Sequence, residues 1–352
     1  MSDDTLTDML MCKYNFKSNW INFSTTYSFN IDKLDLYTGF HMYGYNRKHF
    51  GNEGTFTYDN VGDKRDFSPF VKLFYKMKSV NLYCDVQYRK NEYFYLDYIN
   101  YFEKLKYNFI NYSIGASYNL KKGTLYYSFS KSNREPCRSD ILGGVEYYIP
   151  DYANVKLKPE SVYDNEFGFR INIDKINFNV NLYYMKFKNE LSLNGKIGPT
   201  GVPLHENVDN SFRSGLEIDF KYIADNITIT NNISYNYSRI KQGDINIRPI
   251  LTPTLIFNQD INYKYDWFSL GLIGKIQSWS YIDVANKNII SDYFILNSYI
   301  GAKWGSGVEF MYYMNNITGT EYFANGVMSN TDKPLYFVGS PFNWFFALKI
   351  NI

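Results

Sequence analysis

Between Trp20 and Asn30 apolar and polar side chains alternate without a break. Ile21, Phe23, Thr25, Tyr27 and Phe29 fall on one side, and Asn22, Ser24, Thr26, Ser28 and Asn30 on the other. A period of two sends successive side chains to opposite faces of an extended chain, so this stretch predicts a β-strand with one apolar and one polar face. Phe109 to Leu120 repeats the rhythm, and so does Ile176 to Tyr184, where Ile176, Phe178, Val180 and Leu182 interleave with asparagines. The neighbouring stretches Ser211 to Tyr222 and Ile227 to Ser238 add charge to it. Phe212, Leu216, Ile218 and Phe220 oppose Arg213, Glu217, Asp219 and Lys221, and Ile227, Ile229 and Ile233 oppose threonine, asparagine and serine. A β-sandwich alternates in the same rhythm with its apolar face inward, so alternation alone does not separate the architectures.

The connections do. Short polar ones fall at 31–33, 77–79, 121–123, 173–175, 223–226, 264–266 and 305–307. Between them lie long ones at 47–69, 97–108, 133–160, 194–208, 241–253, 281–290 and 316–343. An up-and-down membrane barrel has short periplasmic turns and long extracellular loops, which is this alternation. The expectation is therefore an all-β fold, an antiparallel up-and-down transmembrane β-barrel, with charged residues lining a wet interior. About fifteen strands are present on this count, an odd number where single-chain bacterial barrels have an even one, so the barrel is expected to be partial and to lack upstream strands. Residues 1–18 are expected to form an irregular N-terminal segment and residues 19–352 the partial barrel domain. The last stretch, Asn343 to Ile352, alternates again and resembles the assembly signal of outer-membrane proteins, with Ile352 where that signal carries an aromatic residue.

Composition excludes several classes. Tyr 36, Phe 28 and Trp 5 stand beside a charged fraction of 20% and a net charge of +2. A nucleic-acid binder needs a dense basic face, and none is visible. No apolar run reaches the roughly 20 residues of a spanning helix, and mean hydropathy is -0.38. A barrel tolerates that value because only alternate residues meet lipid. Met1 to Leu10 has no basic-then-apolar pattern, so the secretory signal an outer-membrane protein needs is expected upstream or lost with a broken gene. Cys12, Cys84 and Cys137 have no metal-type spacing and read as structural. His41, His49 and His205 are scattered, with neither a zinc spacing nor a nucleophile elbow, so no catalytic site, metal or cofactor is expected. His41 falls in the lumen-facing phase of its strand.

A family resemblance enters at Leu157-Lys158-Pro159-Glu160-Ser161 followed by Asp164-Asn165-Glu166-Phe167-Gly168. This run resembles the "LKPE…YELG" signature of TonB-dependent outer-membrane receptors. Ser130 to Pro136 is similar to that family's approach to a large extracellular loop. Asn181 to Leu191, Asn207-Val208 and Ser211 to Glu217 resemble its next hairpin, and Phe337 to Pro341 the approach to its last strand. The resemblance covers roughly Trp20 to Ile352. It implies a barrel of about 22 strands plugged by an N-terminal domain, of which this chain would hold the last strands. It also implies outer-membrane localisation and active uptake of a ferric siderophore, haem, cobalamin, a glycan or a similar ligand, with the TonB system acting only through the missing part.

Two groups of residues are candidates for function. In the loop from Asn133 to Glu160, Arg134, Glu135 and Arg138 accompany Tyr147, Tyr148 and Tyr152. Tyrosines there can stack on a small molecule and arginines can grip an anionic metal chelate, or the same residues can be interface aromatics and ordinary loop charge. On the lumen face, Asp164, Glu166, Arg170, Arg213, Glu217 and Asp219 can grip a plug or simply hydrate a wide lumen. Two other readings stay open: a plugless porin-like channel and a soluble all-β adhesin.

Overall fold

The structure is a computed structural model that describes residues 12–350 apart from 54–55, 154–155, 199–200, 243–244, 306 and 330. In chain order the strands are β1 (Cys12–Ile31), β2 (Leu34–Glu53), β3 (Phe56–Lys76), β4 (Val80–Asp97), β5 (Phe102–Leu120) and β6 (Gly123–Arg134). The helix α1 (Arg138–Leu142) precedes β7 (Glu160–Ile173), β8 (Ile176–Ile197), β9 (Pro203–Ile223), β10 (Ile227–Gln242), β11 (Ile245–Ile247), β12 (Leu255–Tyr265) and β13 (Phe268–Gln277). Then come β14 (Ser280–Tyr281), β15 (Ile289–Ile290), β16 (Tyr293–Trp304), β17 (Val308–Asn315), β18 (Phe323–Met328), β19 (Pro334–Val338) and β20 (Asn343–Ile350).

Fifteen of these strands follow one another in a single antiparallel succession: β1 to β10, then β12, β13, β16, β17 and β20. Each pairs with the next, as short turns and sequence-adjacent pairing require. Asp32, Asp174 and Asp266 open three of those turns with φ of 48°, 43° and 42°. Aspartate tolerates this left-handed region better than most residues, which suits it to the position. The remaining strands decorate loops. β11 folds back on β10, β14 pairs with β15, and β18 pairs with β19. Among the described residues β1 has β2 as its strand partner and β20 has β17, so the sheet is open at both edges.

Register confirms the two faces. Tyr127, Phe167, Leu182, Leu216 and Tyr235 lie directly opposite one another across five strands, and Phe167 and Leu182 are half exposed on the apolar side. Arg170, Asn179, Asp219 and Asn232 form a row of the opposite phase. The polar phase is the inner one, because the segment between β6 and β7 folds over it and buries Tyr58, Tyr95 and Asn91 there.

Two expectations need correction. Of the irregular segment expected for residues 1–18, Cys12 to Ser18 is strand and residues 1–11 lie outside the described residues. Tyr14, Phe16 and Trp20 sit in the phase that is polar further along β1, so counting apolar positions hid the period. Much of the long connections at 47–69 and 97–108 is also strand: β2 runs to Glu53 and β3 starts at Phe56, and β4 runs to Asp97 and β5 starts at Phe102. Both faces of a hairpin can be polar where neither meets lipid, so alternation stops while the ladder of backbone hydrogen bonds continues. Among the described residues the helix α1 is five residues long, and no helix is long and apolar enough to cross a membrane.

Candidate functional site

The 133–160 segment begins and ends on adjacent strands, and the residues that carry the family resemblance close its base. Glu160 accepts from Arg134 at 3.1 Å and from the Leu191 amide at 2.8 Å. Asn207 accepts from the Lys158 amide at 2.7 Å and donates to the carbonyls of Lys158 at 3.0 Å and Asn189 at 2.9 Å. Leu157 is buried beside them. Orphan backbone groups at the loop root are thereby satisfied, which fixes where the loop leaves the wall.

Inside the barrel the loop is tied to β2–β5. Glu135 takes both ends of the Arg89 guanidinium at 2.8 Å and the Lys64 ammonium at 2.8 Å. Arg89 also reaches Asp66 at 2.6 Å, and Ser68 and Asn91 donate to the same carboxylate. Glu135 and Asp66 keep only 8% and 7% of their side-chain surface. Charges this deep are tolerable only when paired in this manner. Burial pushes the Glu135 carboxyl up, but hydrogen bonds from Lys64 and Arg89 outweigh it and hold the group below the ordinary glutamate range.

Arg138, the first residue of α1, bonds the Glu146 carboxylate at 2.9 Å and the Glu146 carbonyl, and lies over the Tyr95 ring. His49 from β2 approaches the same carboxylate at 3.3 Å. Tyr147 packs on Tyr58 with centroids 4.6 Å apart, and Tyr148 stacks on Tyr101 at 3.5 Å. Asp97 receives Tyr95 Oη at 2.6 Å and the Tyr148 amide. Leu142 and Val145 fill the space against Tyr95. The helix ends at Gly143, whose φ of 66° is left-handed, and a Cβ there would fall 2.1 Å from the Tyr152 carbonyl oxygen. Tyr152 itself is half exposed.

The far side of the loop meets β9. His205 Nδ1 lies 2.9 Å from Asp140, and burial raises the Asp140 carboxyl less than its hydrogen bonds with His205 and Cys137 lower it. The segment therefore bridges two sectors of the wall. Between it and β2–β5 remains a cavity of about 170 Å³, lined in part by Arg47, Asn91, Tyr93, Tyr107, Cys137 and Arg138. Arg47 Nε, Asn91 Oδ1 and Tyr93 Oη are buried there with no protein partner. The space is smaller than the ~300 Å³ of a drug-sized pocket and is lined by polar as well as aromatic groups.

Of the expected residues, Glu135 is spent on the wall strands, Arg138 mainly on Glu146 of its own loop, and Tyr147 and Tyr148 pack on wall tyrosines; Arg134 closes the base and Tyr152 is half exposed. Sequence reasoning missed Lys64, Asp66, Arg89, Asn91, Glu146 and Asp140. The signal available was phase, because Asp66, Arg89 and Asn91 all fall on the polar face of β3 and β4. His49 and His205, scattered in the chain, each meet a loop carboxylate.

The lumen residues lie deeper on the same face. Arg213 is paired with Glu190 and lies over Phe187, Arg170 lies over Tyr126, and Asp219 receives Asn232 at 2.6 Å. Among the described residues Asp164, Glu166, Arg170, Glu217 and Asp219 make no ion pair, and no three His, Cys, Asp or Glu side chains assemble a metal site. Cys84 and Cys137 are not joined to another cysteine.

A family model described as TonB dependent receptor-like, beta-barrel matches residues 5–317. No curated protein sequence matches the chain. Solved structures do. The ferric citrate transporter FecA in its unliganded form is 15% identical with a TM-score of 0.74 over 96% of this chain and 55% of its own. The copper transporter OprC is 12% identical with a TM-score of 0.79 over 97% of this chain and 57% of its own. The siderophore receptor PiuA from Acinetobacter baumannii is 13% identical with a TM-score of 0.76 over 96% and 56%. At such identities the likeness establishes the fold, and the chain spans little more than half the length of these structures.

Proposed function

The chain belongs to the TonB-dependent receptor β-barrel family, and from that premise we propose that it is the C-terminal barrel part of an outer-membrane receptor for active uptake of a ligand. The ligand is a ferric siderophore, haem, cobalamin, a glycan or a compound of similar size. The observation that carries this reading is the loop folded into the mouth of the lumen, with guanidinium, amide and phenol groups turned into a partner-free cavity. Arg138, Tyr147, Tyr148 and Tyr152, with Arg134 and Glu135 holding the loop in place, form its ligand-facing surface. Deeper down, Asp164, Glu166, Arg170, Arg213, Glu217 and Asp219 face a plug that fills the lumen.

By itself the fifteen-stranded sheet does not transport. Backbone groups on the open edges of β1 and β20 cost several kcal/mol each if left bare in hydrocarbon, so further strands must cover them. Coupling to the TonB system runs through the plug and those strands. The test is uptake by cells that carry the chain behind a secretion signal, alone or with a plug and complementing strands supplied from a second gene. Ferric chelates, haem, cobalamin and oligosaccharides are offered in turn. Motor-dependent uptake of one of them only with the second gene supports the proposal. Uptake by the chain alone contradicts its incompetence, and no uptake of any ligand in either case contradicts the receptor reading.

A further inference from the structure

One cation beside the lumen cavity is left without a counter-charge. Lys64 and Arg89 share Glu135, Arg89 also reaches Asp66, and Arg138 takes Glu146, but among the described residues Arg47 has no carboxylate within salt-bridge distance. Its guanidinium lies over the Phe16 ring, 4.0 Å from the centroid, and its Nε is buried at the cavity with no partner. Directly opposite on β3 is Gly62, where a Cβ would fall 3.3 Å from Tyr93 Oη. The missing side chain leaves the phenol its place beside Arg47. At the other end Asn91, fully buried, gives Nδ2 to Asp66 at 3.1 Å, which turns Oδ1 away from that carboxylate and leaves it unmet. Gly62 faces Arg47 and Asp66 faces Asn91, so the two ends are set about 13 Å apart along the β3 backbone.

The cavity thus offers a charged N–H donor, a hydroxyl that donates or accepts, and, at the far end, an amide oxygen that only accepts. Buried polar groups left unmet cost free energy, so an occupant that meets all three is favoured. Water meets the polar atoms but leaves the guanidinium charge unbalanced. Between the polar points the walls are apolar, from the rings of Tyr45 and Tyr107 and the side chains of Leu105 and Ile141. At about 170 Å³ the space is close to the engineered cavities of about 150 Å³ that admit benzene. A sugar, with a hydroxyl on most of its carbons, would leave donors bare against such walls. A plain hydrocarbon would leave all three protein groups unmet.

We propose that this cavity binds a single-ring monocarboxylic acid with one hydroxyl across the ring, either as a free acid or as the end of a larger ligand. The carboxylate takes the Arg47 guanidinium and the Tyr93 hydroxyl, the ligand's own hydroxyl donates to Asn91 Oδ1, and the ring lies against tyrosine rings. The assignment rests on the reading of the cavity as a ligand site and adds the chemistry that the site selects. A single negative charge is favoured because a single cation is unpaired: a second charge would meet Glu135 and Glu146 with no cation left to balance it. The loop side of the cavity is formed by Glu135 to Arg138 and Ile141, so a bound acid also ties the 133–160 segment to the wall.

The test is calorimetric titration of the full chain, with its complementing strands and in neutral detergent, by para-hydroxybenzoate, benzoate, para-hydroxybenzyl alcohol and glucuronate. The expected order has para-hydroxybenzoate first, benzoate weaker by a few-fold, and the alcohol and the sugar acid weaker by about tenfold or more. Arg47→Gln should cost para-hydroxybenzoate about tenfold or more, and Gly62→Ala should weaken it by crowding the phenol. Lys48→Gln, which removes the same charge from the opposite face of β2, should change nothing. Bound acid should also slow backbone exchange in residues 136–141. A para-hydroxybenzoate bearing a glycol tail at the meta position separates the two sources: retained affinity assigns the site to the end of a larger ligand, lost affinity to the free acid. Equal affinity for all four probes, or natural affinity in both Arg47→Gln and Gly62→Ala, overturns the site. If Arg47→Gln disturbs exchange in β7–β9 and so is misfolded, the probe order on the natural sequence decides. No binding of any probe alongside motor-dependent uptake of another compound overturns this site and leaves the receptor reading standing, whereas no binding and no uptake overturn both.

Discussion

The tip of the β2–β3 hairpin and the 133–160 segment look alike as sequence, both polar, long and without period, yet they fold in opposite ways. The first continues the sheet, pairing Arg47 with Gly62, His49 with Asn60 and Gly51 with Tyr58 until the turn. The second leaves the sheet at Arg134, forms a five-residue helix and lies down inside the barrel. The difference is in what each can satisfy locally. Neighbouring strands of equal length offer the hairpin backbone a partner at every step, so it needs nothing from the lumen. The 133–160 segment has no such partner beyond Arg134 and Glu160, and it finds partners instead in side chains that project from β2–β5, above all the Lys64, Arg89 and Asp66 group.

If that account holds, the largest effect should come from Arg89→Ala. Removing one member of a buried charge network strands the others and costs about 3–5 kcal/mol. Backbone hydrogen exchange in residues 136–152 should rise by orders of magnitude, while exchange in 47–53 changes far less. Parallel increases in both segments would mean that the two are one cooperative unit, and the comparison would break.

Next in size is Gly143→Val. The left-handed φ of 66° costs about 1–2 kcal/mol for a side-chain-bearing residue, before the clash with the Tyr152 carbonyl. Because the obstacle is backbone, α1 should come away from Val145 and Tyr95, with proteolysis between residues 143 and 152 as the readout. A variant cleaved no faster than the natural protein would show that the turn at Gly143 is dispensable.

Gly51→Ala probes the hairpin in the same way and should cost less, about 1 kcal/mol. Its Cβ would meet the Tyr58 ring at 2.2 Å, and that ring packs on Tyr147. The strain should therefore surface in the loop, as faster exchange around Tyr147, and leave the β2–β3 ladder intact. Fraying of the ladder itself would place the weak point in the hairpin.

The smallest effect is that of pH. Glu135 and Asp140 are both held below their unfolded values. Their stabilisation is present in full above roughly pH 4 and is lost as pH falls through the lower folded values. Loop exchange should stay flat from neutrality down to the ordinary carboxylate range and rise only below it. A rise near pH 6 would point to a different titrating group.

Much of the wall was legible from sequence because a lipid face and a wet face impose a period of two. Phe212, Leu216 and Ile218 opposite Arg213, Glu217 and Asp219 set the phase of β9, and the short connections at 173–175 and 223–226 marked its neighbours. The start of the N-terminal strand, before Trp20, was not legible, since Tyr14 and Phe16 put aromatic rings on the inner face. The loop's own residues could be named, but their partners could not. Lys64 on β3 and Arg89 on β4 reach Glu135 only because the sheet from β3 to β6 carries the chain around the wall, and nothing local to 133–160 announces that. Which polar residues on a lumen face will be covered depends on how the sheet curves, and no period encodes it.

The central claim is that this sheet is a membrane wall with lipid on one face and a wet lumen on the other. The direct measurement is nitroxide scanning of β9 in the outer membrane, at Leu216, Glu217, Ile218 and Asp219 in turn, with the natural cysteines replaced by serine. Collision with dissolved oxygen, which concentrates in lipid, is compared with collision with a water-soluble nickel chelate. The account predicts high oxygen and low chelate accessibility at Leu216 and Ile218, and the reverse at Glu217 and Asp219. Uniform values along the four positions, or the opposite alternation, would contradict it.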